Sequence, residues 1–203
     1  MNEITDVSDG QNHLSLPNAE VYYFPSFFDK QEADAYFQKL YTETPWQQDD
    51  IKVFGKVYAQ PRLTALYGDE GKPYAYSNIV MHPHAFTNVL LDVKQQVEAV
   101  AKTNFTSVLL NLYRDGKDSN GWHADDEKEL GQNPIIASVS FGEERYFHFR
   151  SKEDRKSTHK LRLAHGSLLL MKGVTQHHWH HQIPKTAKKV GPRINLTFRV
   201  IKS

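Results

Sequence analysis

The chain has no cysteine among its 203 residues, so it can form neither a disulfide nor a thiolate metal site. Any metal must be held by imidazole and carboxylate, ligands that suit iron, zinc, copper or nickel. A long apolar run is missing too: nothing approaches the roughly 18 to 20 residues that cross a bilayer. The polar, acidic N-terminus lacks the basic start and apolar stretch of a secretory signal. A cytoplasmic location, or a nuclear one in a eukaryote, is therefore expected, with neither secretion nor membrane contact. Glycine and proline are modest at 11 and 9 residues, and 39% of the chain is apolar, enough for one substantial core.

The net charge of +1 hides an asymmetry. Residues 1 to 50 carry ten acids and two bases, whereas residues 51 to 203 carry 14 acids and 23 bases. A basic working region suits a polyanion such as nucleic acid, although solvated lysines produce the same imbalance. Residues 1 to 15, polar and poor in large apolar groups, read as a disordered leader ahead of a single domain over 16 to 203.

After a short apolar stretch from Val21 to Phe28, Asp29 and Glu32 have the spacing of a capping box. The helix they start runs to about Thr42 and is ended by Pro45. A second helix is expected from about Pro83 to Lys102, with Phe86, Val89, Leu90, Val93, Val97, Val100 and Ala101 at helical spacing. Between the two lies an irregular, aromatic-rich stretch. From residue 106 the period becomes two, giving strands at 107–114, 134–141, 145–150, 160–171, 177–183 and 193–201. Short strands joined by turn-rich connections favour a β-rich α+β fold, a barrel or jelly roll, over alternating βαβ units.

His123 and Asp125 stand two apart just after a strand, so their side chains point the same way, about 7 Å apart along the chain. Such a pair is common by chance and needs a third ligand. Residues 177 to 181 offer four imidazoles in five positions, His177, His178, His180 and His181, on alternating faces of an expected strand. Two imidazoles and one carboxylate with open positions form the facial triad of a non-haem iron(II) oxygenase, unlike a closed zinc site. In the last strand Arg193, Asn195, Thr197 and Arg199 alternate with Ile194, Leu196, Phe198 and Val200. A half-solvated strand would look the same, but two arginines on one face also suit a dicarboxylate. Asn111 and Tyr113 share a face of the strand 107–114 and offer an amide and a phenol.

Taken together, Asn111-Leu-Tyr113, His123-Ala-Asp125-Asp-Glu127, residues 137–142 (ASVSFG), His165-Gly-Ser167, His178-Trp-His-His181 and the run from Arg193 to Arg199 resemble the AlkB family of Fe(II)/2-oxoglutarate-dependent nucleic-acid demethylases. The resemblance covers roughly residues 50 to 201. It implies a double-stranded β-helix, or jelly roll, over about 106–201, with N-terminal helices on one face and a nucleotide-recognition lid over about 50–82. It selects His181 as the third iron ligand beside His123 and Asp125. It also implies 2-oxoglutarate contacts at Asn111, Tyr113, Arg193, Asn195 and Arg199, with O2 as a further cosubstrate. The reaction implied is demethylation of 1-methyladenine or 3-methylcytosine in DNA, releasing formaldehyde, succinate and CO2.

The stretch Val53-Phe54-Gly55-Lys56, with Arg62 downstream, is similar to the finger of family members that act on double-stranded DNA. That similarity implies that Phe54 intercalates, Arg62 supports the gap, Tyr76 stacks on the flipped base, and Tyr74 and Glu127 contact its polar edge. The expected partner is alkylated duplex DNA, met by a monomer. Alternatives are the same chemistry on RNA or protein, or a non-catalytic binding module. The connection with Arg145, Arg150, Lys152, Arg155, Lys156, Lys160 and Arg162, and the patch Lys185, Lys188 and Lys189, are candidate phosphate clamps.

Overall fold

A computed structural model of the chain describes residues 5–7, 11–53, 56–69, 74–76, 79–81 and 83–202, with the backbone alone at 5–7, 11–12, 51–53, 56, 74–76 and 79–81. In chain order the strands are β1 (Thr5–Val7), β2 (Gln11–His13), β3 (Glu20–Phe24), β4 (Asp50–Val53), β5 (Lys56–Ala59), β6 (Leu63–Gly68), β7 (Tyr74–Tyr76), β8 (Ile79–Met81), β9 (Ser107–Tyr113), β10 (Asn120–His123), β11 (Ile136–Gly142), β12 (Arg145–Ser151), β13 (Thr158–Leu163), β14 (Ser167–Lys172), β15 (Trp179–Ile183) and β16 (Arg193–Arg199). The helices are α1 (Lys30–Glu43), α2 (Asn88–Ala101) and the single turn α3 (Thr175–His178). Eight strands form one antiparallel sheet in the order β1-β2-β3-β14-β11-β16-β9-β6, and four form a second in the order β10-β15-β12-β13. The two sheets are the expected jelly roll.

Period-two alternation divides the interior into two cores. On the helix side of the large sheet, Leu110, Leu112, Ile194, Leu196 and Phe198 pack with Leu90, Val93, Val97 and Ala101 of α2. On the other side, Leu109, Tyr113 and Ile136 of the large sheet meet Phe147, Phe149, Leu161, Trp179 and Ile183 of the small one. All seven residues of β16 are buried, so its polar face is not half-solvated. Arg193, Asn195, Thr197 and Arg199 line an internal cavity instead.

α1 carries both arms of the expected capping box: Glu32 N–H donates to Asp29 Oδ1 at 2.8 Å, and Asp29 N–H to Glu32 Oε2 at 3.3 Å. α2 begins at Asn88, later than expected, because Thr87 caps it and His84 is taken by β6 through backbone bonds to Leu66 and Gly68. The expected strand 160–171 is two strands, β13 and β14. Ala164 to Gly166 turn between them, with Gly166 at φ +73° and Ser167 Oγ donating to Ala164 O at 2.6 Å. Residues of the span read as a leader take part in the fold at its C-terminal end. His13 pairs with Tyr22, and Leu14 is 1% exposed. The aromatic-rich stretch holds β6 and the hairpins β4–β5 and β7–β8, within the span expected to form a lid. Among the described residues no helix is long and apolar enough to cross a membrane.

Candidate active site

β10 and β15 pair antiparallel with His123 opposite His181, and a register shift lies between Asn120 and His123. Asp125 follows two residues beyond β10. One ligand atom from each of His123, Asp125 and His181 falls within 4.8 Å of the others, the single such group of three among the described residues. The two imidazole rings meet edge to face with centroids 4.3 Å apart, and Phe147 stacks on His181 at 5.1 Å. His123 Nδ1 is 2.8 Å from Gly121 O, which fixes its tautomer with Nδ1 protonated and leaves Nε2 as the coordinating nitrogen.

The structure separates the other histidines by means the sequence did not reveal. His177 and His178 lie in α3, not in the strand, so simple alternation does not apply to them. His177 Nε2 meets Asn133 Oδ1 at 2.9 Å, and His178 Nδ1 meets Glu153 Oε1 at 3.0 Å. His180 sits opposite Arg150, one residue out of phase with His181.

Burial and charge set the protonation of the triad. Burial alone would raise the Asp125 carboxyl, but Arg199, His181 and His123 outweigh it and hold it at about 2. Burial draws His181 down to about 3, reinforced by the neighbouring His123, and it lowers His123 as well. One carboxylate and two neutral imidazoles are the forms that ligate a metal. Asp125 is held from behind, where its N–H donates to Gln176 Oε1 at 2.9 Å and both residues are 1% exposed. A single glutamine in a polar run carries no sequence signal, and its role emerges only where α3 folds back on the loop after β10.

The cavity beside the triad is narrow and opens to solvent. Asn111, Tyr113, Arg193, Asn195 and Arg199 all line it, so the structure brings the five expected dicarboxylate contacts together. Arg193 is 1% exposed. Its Nη2 donates to Ser140 Oγ at 2.8 Å and its guanidinium lies over the Tyr113 ring at 5.2 Å. Its Nε and Nη1 have no hydrogen-bond partner among the described residues. Burial pulls this guanidinium down to about 10, with Tyr113 opposing, so it stays charged at neutral pH.

Of the expected nucleic-acid contacts, Phe54 and Gly55 lie outside the described residues, and Val53, Lys56, Tyr74 and Tyr76 are described by backbone alone. Glu127 Oε2 is buried and without a hydrogen-bond partner among the described residues. Burial raises its pKa; Arg199 opposes this and Asp125 adds to it. Arg62 points inward and is 4% exposed. Arg145 leaves the candidate phosphate clamp, because its guanidinium donates to the carbonyls of Asp115, Asp118 and Pro184 and is 4% exposed. It ties loops together.

Residues 20–199 match the model of the 2OG-Fe(II) oxygenase superfamily. Alpha-ketoglutarate-dependent dioxygenase alkB homolog 3 of Bos taurus is 45% identical over 191 residues, which cover 87% of this chain and 64% of that protein. DNA oxidative demethylase ALKBH2 of Homo sapiens is 42% identical over 184 residues, 86% of this chain and 70% of that one. The chain belongs to the AlkB family of the 2OG-Fe(II) oxygenase superfamily. It spans just under two thirds of the length of the alkB homolog 3 relatives. A solved structure of OsALKBH1 shares the fold, with a TM-score of 0.63 at 16% identity over 98% of this chain and all of that one.

AlkB-family membership implies Fe(II), 2-oxoglutarate and O2, and the residues present fit the first two. Two neutral imidazoles and an ionised carboxylate converge on one point and leave positions open for further ligands. Beside them a buried guanidinium keeps two nitrogens without a partner among the described residues, which is what an incoming carboxylate would satisfy.

Proposed function

We propose that the chain is a DNA repair dioxygenase that demethylates N-alkylated bases, 1-methyladenine and 3-methylcytosine, releasing formaldehyde, succinate and CO2. The observation that carries this reading is the triad opening onto a cavity where buried Arg193 keeps Nε and Nη1 without a hydrogen-bond partner among the described residues. The names of the relatives, a DNA oxidative demethylase among them, support DNA as the substrate. Duplex DNA, a monomeric enzyme and a cytoplasmic or nuclear location are parts of the same proposal.

His123, Asp125 and His181 would hold the iron, and Arg193, Arg199, Asn111, Tyr113 and Asn195 the 2-oxoglutarate. Iron, 2-oxoglutarate and O2 together supply the oxidation of an N-methyl group to a hydroxymethyl group, which then leaves as formaldehyde. The chain's own residues prepare that chemistry. Asp125 remains a carboxylate, burial keeps the two imidazoles neutral, and Gln176 fixes the Asp125 backbone. Phe147, Ile183 and Met171 give the cavity an apolar wall that limits water around the reacting atoms. Glu127, two residues beyond Asp125 and with its pKa raised by burial, is the candidate contact to the polar edge of the base.

Reaching a base in a duplex requires rotating it out of the stack, which an apolar wedge such as Phe54 can sustain. Lys160, Lys185, Lys188 and Lys189 are the candidate phosphate partners; the last three border an open cleft beside Tyr146, in which Arg162 is paired with Glu144. Succinate and formaldehyde release from a methylated duplex should vanish in Asp125→Ala; continued turnover overturns the assignment. Phe54→Ala should reduce turnover more on duplex than on single-stranded substrate, and equal losses would remove the finger.

A further inference from the structure

Arg62 follows the β4–β5 hairpin and stands just before β6, yet it turns into the protein. Nε donates to Asn111 Oδ1 at 2.7 Å and Nη1 to Ser119 O at 3.4 Å. With the Gln60 amide in the orientation that satisfies both its ends, Gln60 Oε1 accepts from Nη2 at 2.5 Å. All three acceptors are neutral. Among the described residues no carboxylate forms an ion pair with Arg62, which is 4% exposed. A guanidinium so placed is costly to desolvate, and its neighbours offset that only in part.

The bond to Asn111 has a directional consequence. An amide has one acceptor end and one donor end, and a guanidinium can only donate. Arg62 therefore claims Oδ1 and turns Asn111 Nδ2 away from itself. Nδ2 lies 3.4 Å from Asn195 Oδ1, and Asn111 borders the cavity that holds Arg193 and Arg199. Asn195 is fixed in turn, accepting from Thr197 Oγ1 at 2.9 Å and donating to Ser138 Oγ at 2.7 Å. With the opposite amide orientation, Asn111 would aim lone pairs at a dianion.

We propose that Arg62 is a positioning residue for the dicarboxylate cavity, acting through Asn111 to hold that amide with its NH2 toward the anion, and not a contact to nucleic acid. The proposal rests on the reading that the cavity takes 2-oxoglutarate.

The test is calorimetric titration of 2-oxoglutarate into the full chain loaded with Mn(II), with anisotropy of a fluorescent methylated oligonucleotide measured in parallel. Arg62→Met should weaken 2-oxoglutarate binding by about tenfold, the scale of one hydrogen bond to a charged group, and leave oligonucleotide affinity within about twofold. Asn111→Ala should lose a similar amount. The double variant should bind no more weakly than Asn111→Ala, since nothing remains for Arg62 to orient. Additive losses, or weakened oligonucleotide binding with 2-oxoglutarate affinity intact, overturn the proposal. Arg62→Lys keeps a cation without the guanidinium fork and enters the same cycle, with the same outcomes, if Arg62→Met does not fold. A wild-type chain that fails to bind 2-oxoglutarate removes the underlying reading; wild-type binding matched by every variant removes this inference alone.

Discussion

Arg199 Nη2 lies 2.5 Å from Asp125 Oδ1, with the two side chains 3% and 2% exposed, so the metal-facing carboxylate has a counter-charge built into the fold. The pair joins the last strand of the large sheet to the loop after β10. Arg199→Met should strand a buried carboxylate and cost about 3–5 kcal/mol, the usual consequence of removing one partner from a buried pair. Chemical denaturation of the metal-free protein checks this, and a loss below about 1 kcal/mol contradicts it.

The histidine ligands make metal-free stability depend on pH. His181 takes up a proton at about 3 in the folded chain, against 6.5 for a free imidazole. Below about pH 6.5 the unfolded chain therefore binds a proton that the folded chain refuses, so stability falls as pH falls, by up to about 1.4 kcal/mol per unit until the folded value is reached. Asp125 acts lower down: its contribution is complete above 3.8, the value of a free aspartate, and is lost as pH falls toward about 2. Thermal melts of metal-free wild type and His181→Leu between pH 8 and 5 should show a shallower slope in the variant. Parallel slopes would count against a neutral, buried His181.

Gln176→Leu removes the acceptor for Asp125 N–H while keeping the buried volume. Groups that orient a ligand in this way are worth about 10- to 100-fold in metal affinity. Co(II) titration followed by its visible spectrum should show a loss in that range, with Gln176→Glu, which keeps an acceptor oxygen, closer to wild type.

His177→Ala and His178→Ala should leave Co(II) affinity within about twofold of wild type, because each ring is directed to a partner outside the triad, Asn133 or Glu153. A tenfold loss in His178→Ala would mean that the loop holding Glu153 rearranges to deliver a third imidazole.

Gly142→Ala should cost more than about 1 kcal/mol and also weaken 2-oxoglutarate. Gly142 has φ +87°, and a Cβ there would meet Pro192 O at 2.5 Å and the Phe37 ring at 2.6 Å. Since Gly142 pairs with Arg193, any shift that relieves the clash moves the start of β16. Denaturation and calorimetry together test both halves.

The parts of the site that follow a period were legible in the sequence. The alternation from Arg193 to Arg199 needed only strand geometry and the capping box at Asp29 only a three-residue spacing, whereas the spacing of His123 and Asp125 marked a candidate pair that is common by chance. The choice of His181 was not available from periodicity, because α3 interrupts it, and came from the family resemblance. Gln176 and the inward course of Arg62 were not legible, since each is one polar residue whose partner lies 51 or 49 positions away. The same holds for Arg145, which looked like one more base in a charged loop. Only its three carbonyl partners distinguish it from the solvated lysines around it.

β16 faces the helices with Ile194, Leu196 and Phe198 and the cavity with Arg193, Asn195, Thr197 and Arg199. Every residue of the strand is therefore bound to a parity. Inserting or deleting one residue within it would push arginine into an apolar core and leucine and phenylalanine against the metal ligands, whereas a change of two would preserve both linings. Length variation at this strand should accordingly be confined to even steps, a restriction that no single side chain imposes and that point substitutions alone would never reveal.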